Sequence, residues 1–211
     1  MIFNDRQDAG RQLAAQLAEF ASHGDAIVLG IPRGGVVVAE EIARSLGLPL
    51  DIFLSHKLGV PGREELAFGA ITAGGGRYLD RQLIDSVMIS ESDVARITSE
   101  TKRLLDQRAL LYRGDRPPVD VAGKTVILVD DGIATGASAF AAIRALREMR
   151  PTAIILAIPV APVSTCAWLQ RSVDRLVCLH APQDFFAVGQ FYRSFAQVED
   201  EEIVRLLKKV G

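Results

Sequence analysis

The sequence predicts an α/β protein, an open parallel β-sheet flanked by helices, on three observations. Short runs such as AIVLG at 26–30 and VILV at 126–129 are apolar throughout, as strands buried on both faces are. Helical patterns alternate with those runs, the order that βαβ units generate. At 211 residues the chain is long enough to bury a core without disulfide or metal support. One domain over 1–211 is expected, with a core at about 24–180 and a small hood formed by the termini, mainly 181–211.

Each element has a local reason. Asp5 to Ser22 carries Leu13, Leu17 and Phe20 at helical spacing, with Asn4 as an N-cap and Gly24 as a stop. Ala26 to Gly30 is a buried strand, IPRGG a tight turn, Val36 to Gly47 a helix, and Leu50 to Leu54 a second strand. Ser55 to Glu65, with Gly59, Pro61 and Gly62, reads as a loop. A hairpin follows from Ala67 to Leu79 around TAGGG. Ser90 or Ser92 caps a long helix to about Tyr112, with Val94, Ile97, Leu104, Leu105 and Leu111 on its apolar side. Beyond Pro117 and Pro118 come a strand at 124–130, a helix at about 136–149, a strand at 153–159, a short helix at 165–171, a strand at 174–179 and a helix at 199–209.

Composition narrows the function classes. Lys plus Arg is 24 and Asp plus Glu is 26, a net charge of -2, which argues against a surface held on nucleic acid by phosphate neutralisation. The longest apolar run, about 153–163, is too short to span a bilayer and contains Pro159 and Pro162, so no membrane association is expected. The polar start after Phe3 does not read as a signal peptide. Cys166 and Cys178 form no CxxC and are expected to be small buried hydrophobes, in keeping with a reducing cytoplasm. Ten of the 18 glycines crowd between Gly30 and Gly76. That crowding asks for backbone approach or unusual turns in the first third of the chain.

The chemistry concentrates in VILVDDGIATGAS, 126–138. An apolar strand ends in two acids, Asp130 and Asp131, where open α/β sheets bind their ligands. The turn Ala134, Thr135, Gly136, Ala137, Ser138 then presents backbone N–H groups at a helix start, an arrangement suited to phosphate. Acids beside a phosphate cradle suit a sugar phosphate. The plainer reading is a strand end and a helix cap. No Walker loop or GxGxxG fingerprint is present.

This stretch resembles the motif of the type I phosphoribosyltransferases, which bind phosphoribosyl pyrophosphate (PRPP) on a Rossmann-like core. The resemblance runs along the chain from Gly30 in strand order. It is similar above all to uncharacterised members that carry IPRGG, KLGVPG and a late FFAVGQFY. It implies that Asp130 and Asp131 hold the ribose hydroxyls and reach a bound metal only indirectly, through water. It implies that Ala134 to Ser138 wrap the 5-phosphate, and that Arg33, Gly34 and Gly35 form the pyrophosphate turn, with a cis peptide at Pro32–Arg33. Lys57 would face pyrophosphate and Arg63 would reach it from a mobile loop at 58–65; these two are the implied catalytic residues. His56 stands where the similar members have Arg, and Ala134 where 6-oxopurine enzymes have Asp, which disfavours hypoxanthine or guanine as acceptor. Phe186, then Phe185, is the implied base-stacking residue.

The implied activity is phosphoribosyl transfer from PRPP to a nitrogenous acceptor, with Mg²⁺ and release of pyrophosphate, in a cytoplasmic protein compatible with a homodimer. Two alternatives stay open: a non-catalytic PRPP or nucleotide sensor on the same fold, and a sugar-phosphate hydrolase using the acids for a metal.

Overall fold

The computed structural model describes residues 1–22 and 24–209, apart from the side chains of residues 64, 65 and 209. The chain runs α1 (Arg6–Gln16), β1 (Ala26–Gly30), α2 (Gly34–Leu46), β2 (Leu50–Ile52), β3 (Ser55–Val60), β4 (Arg63–Thr72), β5 (Arg77–Leu79), α3 (Arg81–Ser86), α4 (Glu91–Arg113), β6 (Thr125–Val129), α5 (Ala137–Arg147), β7 (Ala153–Val160), α6 (Val163–Leu169), β8 (Arg175–His180) and α7 (Asp200–Lys209).

Five strands form a parallel sheet in the order β2-β1-β6-β7-β8. Alternation along each strand divides its side chains between two cores. Ile27, Leu29, Val126, Leu128, Ile154 and Leu156 pack with Ile143 and Leu146 of α5. Val28, Ile127, Val129, Ile155 and Ala157 pack on the other face with Leu13 and Leu17 of α1 and Val38 and Ile42 of α2. Both faces are therefore covered, which explains why these strands carry no polar alternation.

The segment 55–65 is a correction. It is not a loop: Ser55 to Val60 is a strand, paired antiparallel with β4, and β5 completes a second, three-stranded sheet. Gly59 and Pro61 disguised it. Gly59 lies at a register irregularity and Pro61 in the turn, positions where a ladder tolerates both. Leu58, Val60, Phe68 and Ile71 bury one face of this sheet against Val94 and Leu105 of α4 and Ile203 and Leu207 of α7. Ala70 packs the opposite face on Ala141 and Ala145 of α5. The small sheet is thus held between helices.

Smaller differences have local causes. Asp5, rather than Asn4, caps α1, its carboxylate accepting from the Asp8 N–H at 2.7 Å. Ser90 caps α4. The buried stripe of α4 runs through Val94, Thr101, Leu105 and Tyr112, and Leu104 and Leu111 lie beside it, more than half exposed. Cys166 and Cys178 are half-buried against the core rather than enclosed by it. Among the described residues no helix is long and apolar enough to cross a membrane.

Candidate functional site

Strand β6 delivers Asp130 and Asp131 to the carboxyl edge of the main sheet, between β1 and β7. The Asp131 N–H donates to Asp130 Oδ1 at 2.9 Å, which fixes the Asp130 carboxyl against the backbone of its neighbour. Burial, reinforced by the negative charge of Asp131, pushes the Asp130 carboxyl well above the usual carboxylate range. Asp131 has a cation of its own. Arg6 Nε donates to Asp131 Oδ2 at 2.7 Å, and both side chains are nearly buried, 11% and 15% exposed.

The turn after β1 meets these acids directly. The Pro32–Arg33 peptide is cis, as the resemblance implies. A Cβ on Gly34 would lie 1.8 Å from Asp131 Oδ2 and 2.7 Å from Arg6 Nε, and one on Gly35 would lie 2.8 Å from the Cα of Asp130. The two glycines are demanded by the protein's own acid pair, before any ligand is considered. Part of the glycine crowding noted in the sequence thus has a packing cause.

Beyond the acids, the cradle opens. Ala134, Thr135, Ala137 and Ser138 are exposed, while Gly136 is buried at φ +78 as the N-cap of α5. Among the described residues no backbone acceptor is recorded for the N–H groups of Ala134 to Ser138, and the first turn of a helix supplies none. These N–H groups carry the partial positive charge of a helix start, a few residues along the chain from the acids. The back of the cradle is braced by α6. Thr165 Oγ1 donates to the Ala134 carbonyl at 2.8 Å, and a Cβ at Gly136 would meet Thr165 at 2.9 Å and the Trp168 ring at 3.0 Å.

The N-terminal segment meets the segment 185–196 beside the acids. Phe3 pairs with Tyr192 in an isolated parallel bridge, and Phe3, Phe191 and Tyr192 share a small core with Phe185. The Tyr192 hydroxyl donates to the Asp131 carbonyl at 2.6 Å, and burial raises its phenol pKa. Arg6 Nη1 donates to the Ala196 carbonyl at 2.7 Å while its guanidinium lies 3.9 Å from the Phe195 ring centre.

Phe185 is half-buried in that terminal core, and Phe186 is 91% exposed. Lys57 lies on β3 opposite Ala70, on the strand face turned to α5. Arg63 opens β4 and is exposed. Among the described residues no hydrogen bond or ion pair ties Lys57 or Arg63 to the acids or the cradle. The structure therefore brings together Gly34, Gly35, Asp130, Asp131 and the 134–138 turn, and sets Lys57 and Arg63 on the neighbouring sheet.

The sequence passes over Arg6, Thr165, Trp168 and Tyr192 as parts of this site. Arg6 did leave a trace. It is a cation in the first turn of α1, where the helix dipole favours an anion, so its partner had to lie elsewhere. Trp168 and Tyr192 read as packing residues, and both do pack; their second contacts depend on tertiary placement alone.

A profile of the phosphoribosyl transferase domain matches residues 2–192. A Mycobacterium tuberculosis (strain ATCC 25618 / H37Rv) protein named "Putative phosphoribosyl transferase Rv0571c" is 42% identical over 208 residues, 99% of this chain and 47% of its own length. The chain thus spans about half the length of the curated relatives it matches. The crystal structure of TT1426 from Thermus thermophilus is similar with a TM-score of 0.90 at 40% identity, over 100% of this chain and 99% of that one. A hypothetical protein from Neisseria gonorrhoeae with bound ppGpp shares the fold alone, with a TM-score of 0.50 at 12% identity, over 99% and 96% of the two chains.

Proposed function

We propose, from the premise that the chain belongs to the phosphoribosyl transferase domain family, that it transfers the phosphoribosyl group of PRPP to a nitrogenous acceptor and releases pyrophosphate. One observation carries the reading: two carboxyls, an unpaired N–H cradle and a glycine turn in contact with those carboxyls converge at one sheet edge. In this reading Asp130 and Asp131 accept from the ribose hydroxyls and Ala134 to Ser138 enclose the 5-phosphate. The Arg33–Gly35 turn faces the pyrophosphate. The C1–O bond to pyrophosphate breaks, its electron pair leaves with the pyrophosphate, and the acceptor nitrogen bonds to C1 and releases its N–H proton to solvent. The protein's part is to hold the reacting ends in line, stabilise the departing charge and exclude water.

Among the described residues no three His, Cys, Asp or Glu side chains cluster to cage a metal. Asp130 and Asp131 fit a Mg²⁺ held chiefly by substrate oxygens and waters, with the acids reaching it through water. When bound, Mg²⁺ neutralises pyrophosphate charge. The core at 24–180 binds PRPP in this scheme, and the terminal segment from 181 covers the acceptor side, with Phe185 and Phe186 as candidate contacts.

The test is pyrophosphate release from PRPP and Mg²⁺ across a panel of bases, amines and small acids. Release with one acceptor, reduced about tenfold or more in Lys57→Ala, is the expected result. PRPP binding without turnover across the panel overturns the enzyme reading in favour of a nucleotide sensor.

A further inference from the structure

We infer that Arg108, on α4, binds the leaving pyrophosphate together with Arg33, and that Asp200 competes with the substrate for Arg33. The inference rests on the phosphoribosyl-transfer reading. A cavity of about 340 Å³ opens beside the Pro32–Arg33 turn, and its polar rim is Arg33, Ser55, Arg108, Tyr112 and Asp200.

The sheet order gives the cavity its direction. The acids end β6, the glycine turn follows β1, and the cavity lies where β1 and β2 end, at Ile31, Phe53 and Leu54. A substrate with its 5-phosphate in the cradle and its ribose on the acids carries pyrophosphate on C1, across the ring from C5. That end points past the β1 turn towards β2. The opposite side, over β7 and β8, is left to the acceptor.

The charges agree with that direction. The rim carries two guanidinium groups and one carboxylate. Asp200 Oδ1 already accepts from the Tyr112 hydroxyl at 2.6 Å and lies 4.0 Å from Arg33 Nη1. Among the described residues Arg108 has no hydrogen-bond or ion-pair partner. His56 stands close by, and burial, then the charges of Arg108 and Lys57, hold its imidazole below the ordinary range, so the positive charge of the rim is that of the arginines. The cavity is left with uncompensated positive charge on a planar donor group, which suits a polyanion of phosphate oxygens. Arg108 is also well anchored. Five residues on, Arg113 grips Asp51 at 2.9 and 3.0 Å and the Ile52 carbonyl at 2.7 Å, which fixes α4 to the end of β2.

Calorimetry with Mg²⁺ and either inorganic pyrophosphate or ribose 5-phosphate tests the inference in the wild type, Arg108→Gln and Asp200→Asn. Arg108→Gln is expected to weaken pyrophosphate binding about tenfold or more and to leave ribose 5-phosphate within about twofold. Asp200→Asn should shift pyrophosphate the other way, tightening it a few fold, because the amide oxygen still accepts from Tyr112 but no longer attracts Arg33. Opposite signs from two rim residues are not what a general loss of structure produces, and Arg108 is exposed, so its replacement leaves the core intact. If the wild type binds both probes and Arg108→Gln binds pyrophosphate as tightly as the wild type, the inference falls and the phosphoribosyl reading stands. If the wild type binds neither probe, both fall.

Discussion

Gly34→Ala is expected to weaken PRPP binding about a hundredfold or more and to lower stability by about 1–3 kcal/mol. The added methyl would sit 1.8 Å from Asp131 Oδ2 and 2.5 Å from its Cγ. Relief requires the carboxylate to swing away, which breaks its bond to Arg6 and leaves a nearly buried guanidinium without its anion. For a chain of this length the stability loss corresponds to a fall in Tm of roughly 2–4 °C per kcal/mol, measured without ligand. A double-mutant cycle identifies the cause. Combined with Asp131→Ala, the alanine at position 34 should cost much less than it does alone, because its nearest collision partner has gone and the Arg6 side chain, released from that anion, can give way. Additive losses would mean that the turn fails for another reason.

Asp130→Asn has the opposite effect on the free fold. It raises Tm at neutral pH and, at the same time, weakens PRPP binding about tenfold or more, since the amide cannot accept from the ribose at both atoms. The sign follows from burial. The folded protein holds the Asp130 proton more strongly than the unfolded chain does. Between the ordinary carboxylate pKa and the raised one, the folded state carries the extra proton, so stability falls as pH rises through that window and stays lower above it. Asparagine removes the ionisation, keeps the Oδ1 acceptor for the Asp131 N–H, and should flatten the slope. Ligand-free thermal melts from about pH 4 to 8 read this directly. A variant that melts below the wild type at neutral pH would show that the Asp130 charge stabilises the fold. A site whose removal stabilises the protein is one kept for its ligand.

The main sheet was legible because its strands are apolar throughout and its turns carry glycine and proline. Strand β1 spans Ala26–Gly30 as the residues imply, and the other strands of the main sheet differ only at their ends. The acids and cradle were legible for a different reason: strand end, acids and turn are contiguous, so local order fixes their relation. The small sheet was not. Its β3 has only Leu58 and Val60 to bury, and pairing with β4 decides its state where propensity does not. The apolar edge of α4 was misjudged at Leu104 and Leu111 because a helix offers several leucines within reach of one stripe, and only packing chooses among them. Tyr192 and Thr165 were illegible, and the partner of Arg6 was too, because each acts on the acids or the cradle from a distant segment. Arg6 and Asp131 are brought together by the sheet, not by sequence.

The bracing of the cradle by α6 has an optical consequence. The chain has one tryptophan, Trp168, whose ring stacks on Phe140 at 4.9 Å and touches the position that a Cβ of Gly136 would fill. All of its indole fluorescence therefore arises against the wall of the phosphate cradle. Titration with PRPP or ribose 5-phosphate is expected to change that emission, whereas inorganic pyrophosphate, bound at the far side of the acids, should leave it nearly constant. Under the proposed mode of binding, this single indole is a label-free reporter that separates occupation of one end of the site from the other.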